Sequence, residues 1–413
     1  MTVHEFSASP GRVAHGKSVA PRAVPEWGAD DIITRAKRVA AVAARYAEAV
    51  DREARFPAES IAAAKADGLL GLLAPVSLGG EGADAGQVVE VCYLLGQACA
   101  STAMIYAMHQ VKVACVVNHG SGSPWHDGFI RRLVREQLLL ASSTTEGQAG
   151  GNVRSSAAAV TYAEGRISLD RDASVISYGQ YADAIVTTAR RSAEAAASDQ
   201  VLLVLEKRDY ALTPTQTWDT LGMRGTSSIG FALKAEADIA QILPQPYEAI
   251  HAQSMVPSAH LFWSAVWAGI AASAVDRARR FVRKAARAAG GQMPPAAAYL
   301  TRAMGSLRAL RALIAAQLDR YLAIKGDPQA LTALEFQTAI ALLKVDASEL
   351  AVEAVTAAMR TCGLSGYRND NDASLGRHLR DVLSAPIMIN NDRILSNFSA
   401  SMLLTNVPQS IRN

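Results

Sequence analysis

The chain has 413 residues, half of them hydrophobic and 19% charged, the balance of an ordinary globular protein long enough for two or three units with substantial cores. A formal net charge of +3, with no basic patch interleaved by aromatics, argues against a nucleic-acid partner. The four cysteines (Cys92, Cys99, Cys115, Cys362) form no CxxC pair and, like the histidines, show no metal-ligand spacing. A reduced cytoplasm without a metal site is the expected setting.

Residues 1–27 are rich in Ser, Gly, Pro and His, lack periodicity and lack the apolar core of a signal peptide, so a flexible arm is expected. No segment reads as able to span a bilayer, and no membrane partner is expected. From Asp30-Asp31 a helix is predicted to about Val50, its acidic start matching the positive end of the helix dipole. PAESIAAAKADG (57–68) sets proline at a helix start and glycine at its end. Helices follow over 87–99, over the apolar STAMIYAMHQVKVACVVNHG (101–120), and over the amphipathic PWHDGFIRRLVREQ (124–137). This is a helical domain over 28–137.

At Leu138 the texture changes. LLLA (138–141) reads as a short buried strand running into Ser142, Ser143, Thr144, Thr145, Glu146 and the glycines Gly150 and Gly151. Hydroxyls and free N–H groups at a strand end can bond a flat heteroaromatic ring or a phosphate, and glycine lets the backbone come close. A plain turn has the same composition. Alternating and short continuous runs continue past VISYG (175–179) and LGMRGTSSIGF (221–231) to about Leu243, a β-domain over 138–246. Residues 247–413 are helical again, with long segments over 258–291, 294–326 and 331–363 and a final segment after GLSGY (363–367).

In this order and spacing, TTEGQAGG, VIS and LGMRGTSS resemble the middle domain of the acyl-CoA dehydrogenase superfamily, where the segments usually read TEPxAGSD, W-I-[ST] and LGxRxSxT. The resemblance runs from about Asp30 to Ser396. It implies an α+β architecture: an N-terminal α-helical domain, a middle β-barrel and a C-terminal four-helix bundle. It also implies FAD, with Ser142 through Gly151 lining the flavin, Thr145 against the ring edge and Glu146 in place of the usual glutamate. Ser177 takes the position of the hydroxyl near flavin N5, next to Ile176, and Val175 replaces the tryptophan that packs the ring. Arg360 to Leu364 and GLSGY (Gly363 among them) resemble the Q-x-x-G-G-x-G-[YF] turn, with Arg360 in place of the glutamine and Leu364 in place of the second glycine; in relatives the backbone of that turn meets the adenosine half of FAD from a neighbouring subunit. A homotetramer or homodimer is therefore expected. The R-x-x-F-G signature is replaced by RKAARAAGG, and the His-Gln pair that follows it by alanines near Ala297 and Ala298. An arginine stripe ending at Arg287 can still reach a pyrophosphate, and equally fits a solvated face. Asn391 is assigned to the cofactor. Gly151, Ile389 and Asn390 are assigned to the substrate side, and so is His109, for which a satisfied core histidine on an apolar helix is the alternative.

The reaction implied is α,β-oxidation of an acyl thioester carried on coenzyme A or a carrier protein, with hydride passing to flavin N5 and then to an electron acceptor. It needs a buried carboxylate as base. The family's commonest base position falls on Ile389 and the alternative on Ala259, and neither holds a carboxylate. His260 and Asp392 are the nearest titratable groups and are assigned as catalytic, His260 pointing about 100° from its neighbour on the helix. The alternative is a two-component monooxygenase of the same fold, supplied with reduced flavin (FMN or FAD) by a reductase and using oxygen. A binding role without turnover stands third.

Overall fold

The computed structural model describes residues 30–146, 153–403, 407 and 410; the expected arm and the glycines Gly150 and Gly151 lie outside the described residues. Helix α1 (Ile32–Glu53) begins where the Asp31 carboxylate accepts from the Thr34 N–H, and buries Ala36, Val39, Ala43, Ala47 and Val50 along one face. It is followed by α2 (Ala58–Ala66) and by α3 (Ala85–Ala98), which a reciprocal Asp84–Gln87 capping box starts. Helix α4 (Ala100–Gly120) is buried on nearly every side, and α5 (Pro124–Glu136) has proline in its first turn.

Among the described residues seven strands come next: β1 (Leu140–Ser143), β2 (Thr161–Ala163), β3 (Arg166–Ser177), β4 (Ala184–Arg190), β5 (Gln200–Glu206), β6 (Tyr210–Pro214) and β7 (Ser228–Asp238). They form two sheets, ordered β1-β4-β5 and β2-β3-β7-β6. β1 lies parallel to β4 at a sheet edge, while the second sheet is antiparallel throughout. A bridge between Glu146 and Ala173 ties the end of β1 to β3, joining the two sheets. β3 follows period two until a bulge between Ala173 and Ile176 breaks its register with β7.

The helical C-terminal part opens with α6 (Tyr247–Ile250) and one π-turn (His251–Met255). It continues through α7 (Val256–Ala288), α8 (Ala297–Ile324), α9 (Pro328–Thr332), α10 (Leu334–Cys362), α11 (Leu364–Tyr367), α12 (Gly376–Val382) and α13 (Asn391–Met402). Helix α7 runs between the N-terminal helices and the rest of the bundle. It approaches α3 through a glycine pair: a Cβ on Gly96 would stand 2.5 Å from the Val266 carbonyl oxygen, and one on Gly269 2.4 Å from that of Tyr93. The segment Tyr247–Ala288 is long and apolar enough to cross a membrane, which corrects the sequence expectation, but 89% of its apolar window is buried inside the fold. Its apolarity is what a helix packed on two sides requires.

One polar clasp locks the parts together. Asp381 on α12 accepts from the Met223 N–H at 2.7 Å, Arg380 pairs with Asp51 at the end of α1, and Arg377 pairs with Glu48 at 3.1 Å. LGMRG is thereby held against both helical parts, and Gly222 is required there because a Cβ would meet the Arg380 carbonyl at 2.1 Å. His378, between Arg377 and Arg380 on α12, is buried and hydrogen-bonded to Ser273 at 3.0 Å.

Candidate functional site

The three motif segments meet in space. The end of β1 reaches β3 through the Glu146–Ala173 bridge, and β3 reaches the third segment through a chain of hydroxyls. Ser177 and Ser228 lie 2.8 Å apart, and Ser228 and Thr226 lie 2.8 Å apart. Ser142, Thr144, Thr145 and Ser177 are half-buried, and Val175, set in the bulge, is 38% exposed. Ser142 and Thr144 make no side-chain hydrogen bond among the described residues, and Thr145 has only a long one, 3.4 Å from Ser174. Ser142 on the edge strand and Thr144 just beyond it, part-exposed and without side-chain partners among the described residues, together with the exposed Val175, fit the polar rim and flat face of a flavin ring. Bound there, a flavin would supply two-electron redox chemistry, and Ser142, Thr144, Thr145, Val175 and Ser177 would hold its ring.

Other residues of the same segments face inward, which corrects the expectation that the whole run lines the ring. Ser143 is fully buried with its hydroxyl unpartnered. The Ile176 side chain is fully buried against Gly179. Glu146 accepts from the Ala157 N–H at 2.5 Å, the Ala158 N–H at 3.2 Å and the Ser156 hydroxyl at 3.1 Å, and stands 3.2 Å from Arg171. Arg171 also donates to the Ser156 hydroxyl and to the Thr188 carbonyl, and burial lowers its pKa. This clasp fixes the strand end instead of contacting a ligand. The sequence does carry its signal: Ile167, Leu169 and Ala173 are inward positions of β3, and Arg171 sits in the same register.

The residues assigned to catalysis are not gathered into an acid–base site. His260 is buried on α7, its Nδ1–H donating to the Ile340 carbonyl at 2.8 Å, and burial lowers its pKa to about 4. The ring is therefore neutral at pH 7 and a weak base. Asp392 is exposed to solvent in the first turn of α13, not buried as the base of the implied reaction would be. Ile389 is 38% exposed and stands with Asn390 in the left-handed region, φ 60° and 47°. Asn391 is buried and committed: Lys344 donates to its Oδ1 at 2.6 Å, and its amide donates to Ser348 and Glu349 at 2.9 and 2.8 Å. It is a bundle residue, not a cofactor contact.

His109 is likewise a core histidine. Its Nε2–H donates to the Leu70 carbonyl at 2.8 Å and its Nδ1 accepts from the Leu140 N–H at 3.0 Å, leaving no ring nitrogen for a substrate. Burial holds its pKa near 4. It pins α4 to the first residue of β1. Farther out, Arg287 is exposed near the end of α7, while Arg277 of the same stripe donates to the Ser374 carbonyl at 3.0 Å. Arg360 lies over the Tyr299 ring at 4.1 Å, Gly363 has φ 54°, and Leu364 is 72% exposed in the turn that follows. A cavity of about 530 Å³ opens between the N-terminal helices and the bundle, lined among others by Asn118, His119, Ser254, Ser258, Phe262 and Tyr321; no strand-end hydroxyl borders it.

Residues 32–123 match the model of the acyl-CoA dehydrogenase N-terminal domain, and residues 254–401 that of the C-terminal domain, bracketing the sheets that hold the motif segments. The chain belongs to the acyl-CoA dehydrogenase superfamily. Cyclohex-1-ene-1-carbonyl-CoA dehydrogenase of Geobacter metallireducens is 25% identical over 347 residues, 82% of this chain and 87% of that protein. TdsC from Paenibacillus sp. A11-2 in complex with FMN and indole has TM-score 0.80 at 18% identity, over 91% of this chain and 98% of that one. TdsC is a dibenzothiophene monooxygenase. Butyryl-CoA dehydrogenase from Megasphaera elsdenii has TM-score 0.74 at 18% identity, also over 91% and 98%. The superfamily fold thus serves both dehydrogenases and a monooxygenase, and a flavin-linked oxidoreductase is the level the comparisons support.

Proposed function

We propose that this chain is a flavin-dependent monooxygenase of the acyl-CoA dehydrogenase fold, taking reduced flavin from a separate reductase and acting on a small uncharged substrate. The observation that carries the reading is Ile389, an apolar side chain held in a left-handed turn where relatives place their carboxylate base. Neither His260, neutral and bonded into α10, nor the exposed Asp392 replaces that base. The reaction balances without one: substrate, dioxygen and reduced flavin give hydroxylated substrate, water and oxidised flavin. The chain's own part is to hold the ring at Ser142, Thr144 and Ser177. Val175 leaves more room beside the ring than the tryptophan of relatives.

The second reading, oxidation of an acyl thioester with FAD, is supported by the Geobacter relative's sequence match across most of the chain. One experiment separates the two. Purified protein is mixed anaerobically with cyclohexenylcarbonyl-CoA and oxidised FAD, and separately with photoreduced FMN, oxygen and indole. The proposal expects no flavin bleaching in the first mixture and hydroxylated indole in the second. Bleaching by the thioester at catalytic rate, with hydrogen peroxide as the only product from the second mixture, overturns it.

A further inference from the structure

We propose that Lys344 is a positioning residue, clamping the turn from Pro386 to Asn391 and so fixing Ile389, the side chain at the position where the resemblance puts the family's base. The clamp itself is independent of the reaction; only its effect on turnover rests on the proposed function.

Lys344 is fully buried on α10, in a bundle where an apolar side chain of similar size would pack at least as well. Its ammonium donates to the Asn391 side-chain oxygen at 2.6 Å and to the Pro386 carbonyl at 3.5 Å, and lies 5.7 Å from the Trp267 ring centre. Those two oxygens are the two ends of one turn. Inside it, the Asn391 N–H returns to the Pro386 carbonyl at 3.0 Å and the Asn390 N–H to that of Ile387 at 2.9 Å. Between them Ile389 has φ 60° and Asn390 φ 47°. Asparagine tolerates that region, but a β-branched residue there is strained and persists only where its surroundings over-determine it. Lys344 supplies that constraint from both ends.

The orientation of the Asn391 amide is fixed by charge, its oxygen toward the ammonium and its nitrogen toward the Glu349 carboxylate at 2.8 Å. The groups facing Lys344 are therefore Glu349 of its own helix, Asn391 and the Pro386 carbonyl of the turn, and Trp267 and His260 of α7. Burial lowers the Lys344 pKa to about 8, Glu349 opposing the shift, while His260 stays neutral. As pH rises through about 8 the clamp loses its charge-assisted hydrogen bonds and keeps weaker neutral ones.

A nitroxide at Ile387→Cys reads the clamp in the full-length protein. Ile387 is 75% exposed, whereas the four native cysteines are buried and stay unlabelled. The expected result is an ordered spectrum at pH 7 that becomes mobile with a midpoint near pH 8. In Lys344→Met the label should be mobile at every pH, with thermal unfolding and flavin affinity within twofold of the parent. Asn391→Ala should show the same mobility if the methionine variant does not fold. A label as ordered in either variant as in the parent at pH 7 overturns the proposal. With indole, reduced FMN and oxygen, Lys344→Met should raise KM at least tenfold and leave kcat within threefold. Loss of order without turnover in any variant instead counts against the monooxygenase reading and leaves the clamp standing.

Discussion

At the strand ends, Ser142, Thr144 and Thr145 stand part-exposed with little or no hydrogen bonding among the described residues, and Ser177 is tied only to Ser228; in the bundle, His260 and Asn391 are held in the core and Asp392 is exposed to solvent. The two regions differ in what they offer a ligand. One presents hydroxyls that would suit the rim of a flat redox ring. The other presents an isoleucine on a strained turn, with no buried carboxylate at that position. A fold whose redox cofactor carries the hard chemistry can change reaction by altering only the proton-handling side. Substitutions on each side should therefore fail in different ways.

The largest expected effect lies on the strand-end side. Glu146→Ala leaves Arg171 buried without its counter-charge and releases the Ala157 and Ala158 N–H groups. Breaking such a pair costs about 3–5 kcal/mol. Urea unfolding should show that loss, and flavin affinity should fall because the hydroxyls of β1 no longer keep their place. An unchanged unfolding midpoint would show the clasp to be dispensable and would remove the basis for calling this strand end preorganised.

The same contrast explains how much could be read from the sequence. The helices came through because their signals are local: proline at the start of α5, the apolar face of α1, and glycine closing α10. The flavin segments were legible as an ordered set of motifs, and the structure brings those segments together. Which residues of each segment face outward was not legible for Ser143, Glu146 and Ile176, because a bulge at Ala173 and a bridge between two sheets decide it. His109 and His260 depart from the substrate and catalytic roles expected of them for a related reason. A histidine in an apolar helix satisfies itself on whatever carbonyl tertiary packing brings near, here Leu70 and Ile340, tens of residues away. Lys344, in the stretch IALLKVDASELAV, carries no signal of its own in the sequence, because its partners Asn391 and Pro386 lie more than forty residues away and are brought to it by the fold.

On the bundle side a smaller effect is expected. His260→Ala removes one buried hydrogen bond and should destabilise by about 1–3 kcal/mol while leaving flavin affinity intact. Its pKa, about 4 in the fold against an ordinary 6.5, means the unfolded chain takes up the proton first. His260 therefore makes stability fall as pH drops from 6.5 toward 4, by about 1.4 kcal/mol per pH unit. The alanine variant should lose one proton's worth of that slope in melts run across this range. Were His260 instead the catalytic base, its replacement would slow flavin reduction by acyl thioester by about two to four orders of magnitude, with this slope unaffected by which reaction is assayed.

The smallest effect, and the one that tests both sides together, belongs to Val175→Trp. Position 175 lies in the bulge of β3, where register with β7 is interrupted and the side chain is already 38% exposed, so a larger residue fits without displacing core. An indole there can stack on a flavin ring, a contact of about 0.5–1.5 kcal/mol, which converts to a two- to tenfold gain in flavin affinity by fluorescence titration. The same indole occupies the space the valine leaves beside the ring. If that space admits oxygen or substrate, hydroxylation of indole should fall as flavin binding tightens, and more of the oxygen consumed should appear as hydrogen peroxide. If flavin binding tightens while hydroxylation is unchanged, substrate enters from elsewhere and the valine serves only packing. Flavin affinity that does not change at all would mean the ring does not lie against Val175, and the two regions compared here would no longer face a common ligand.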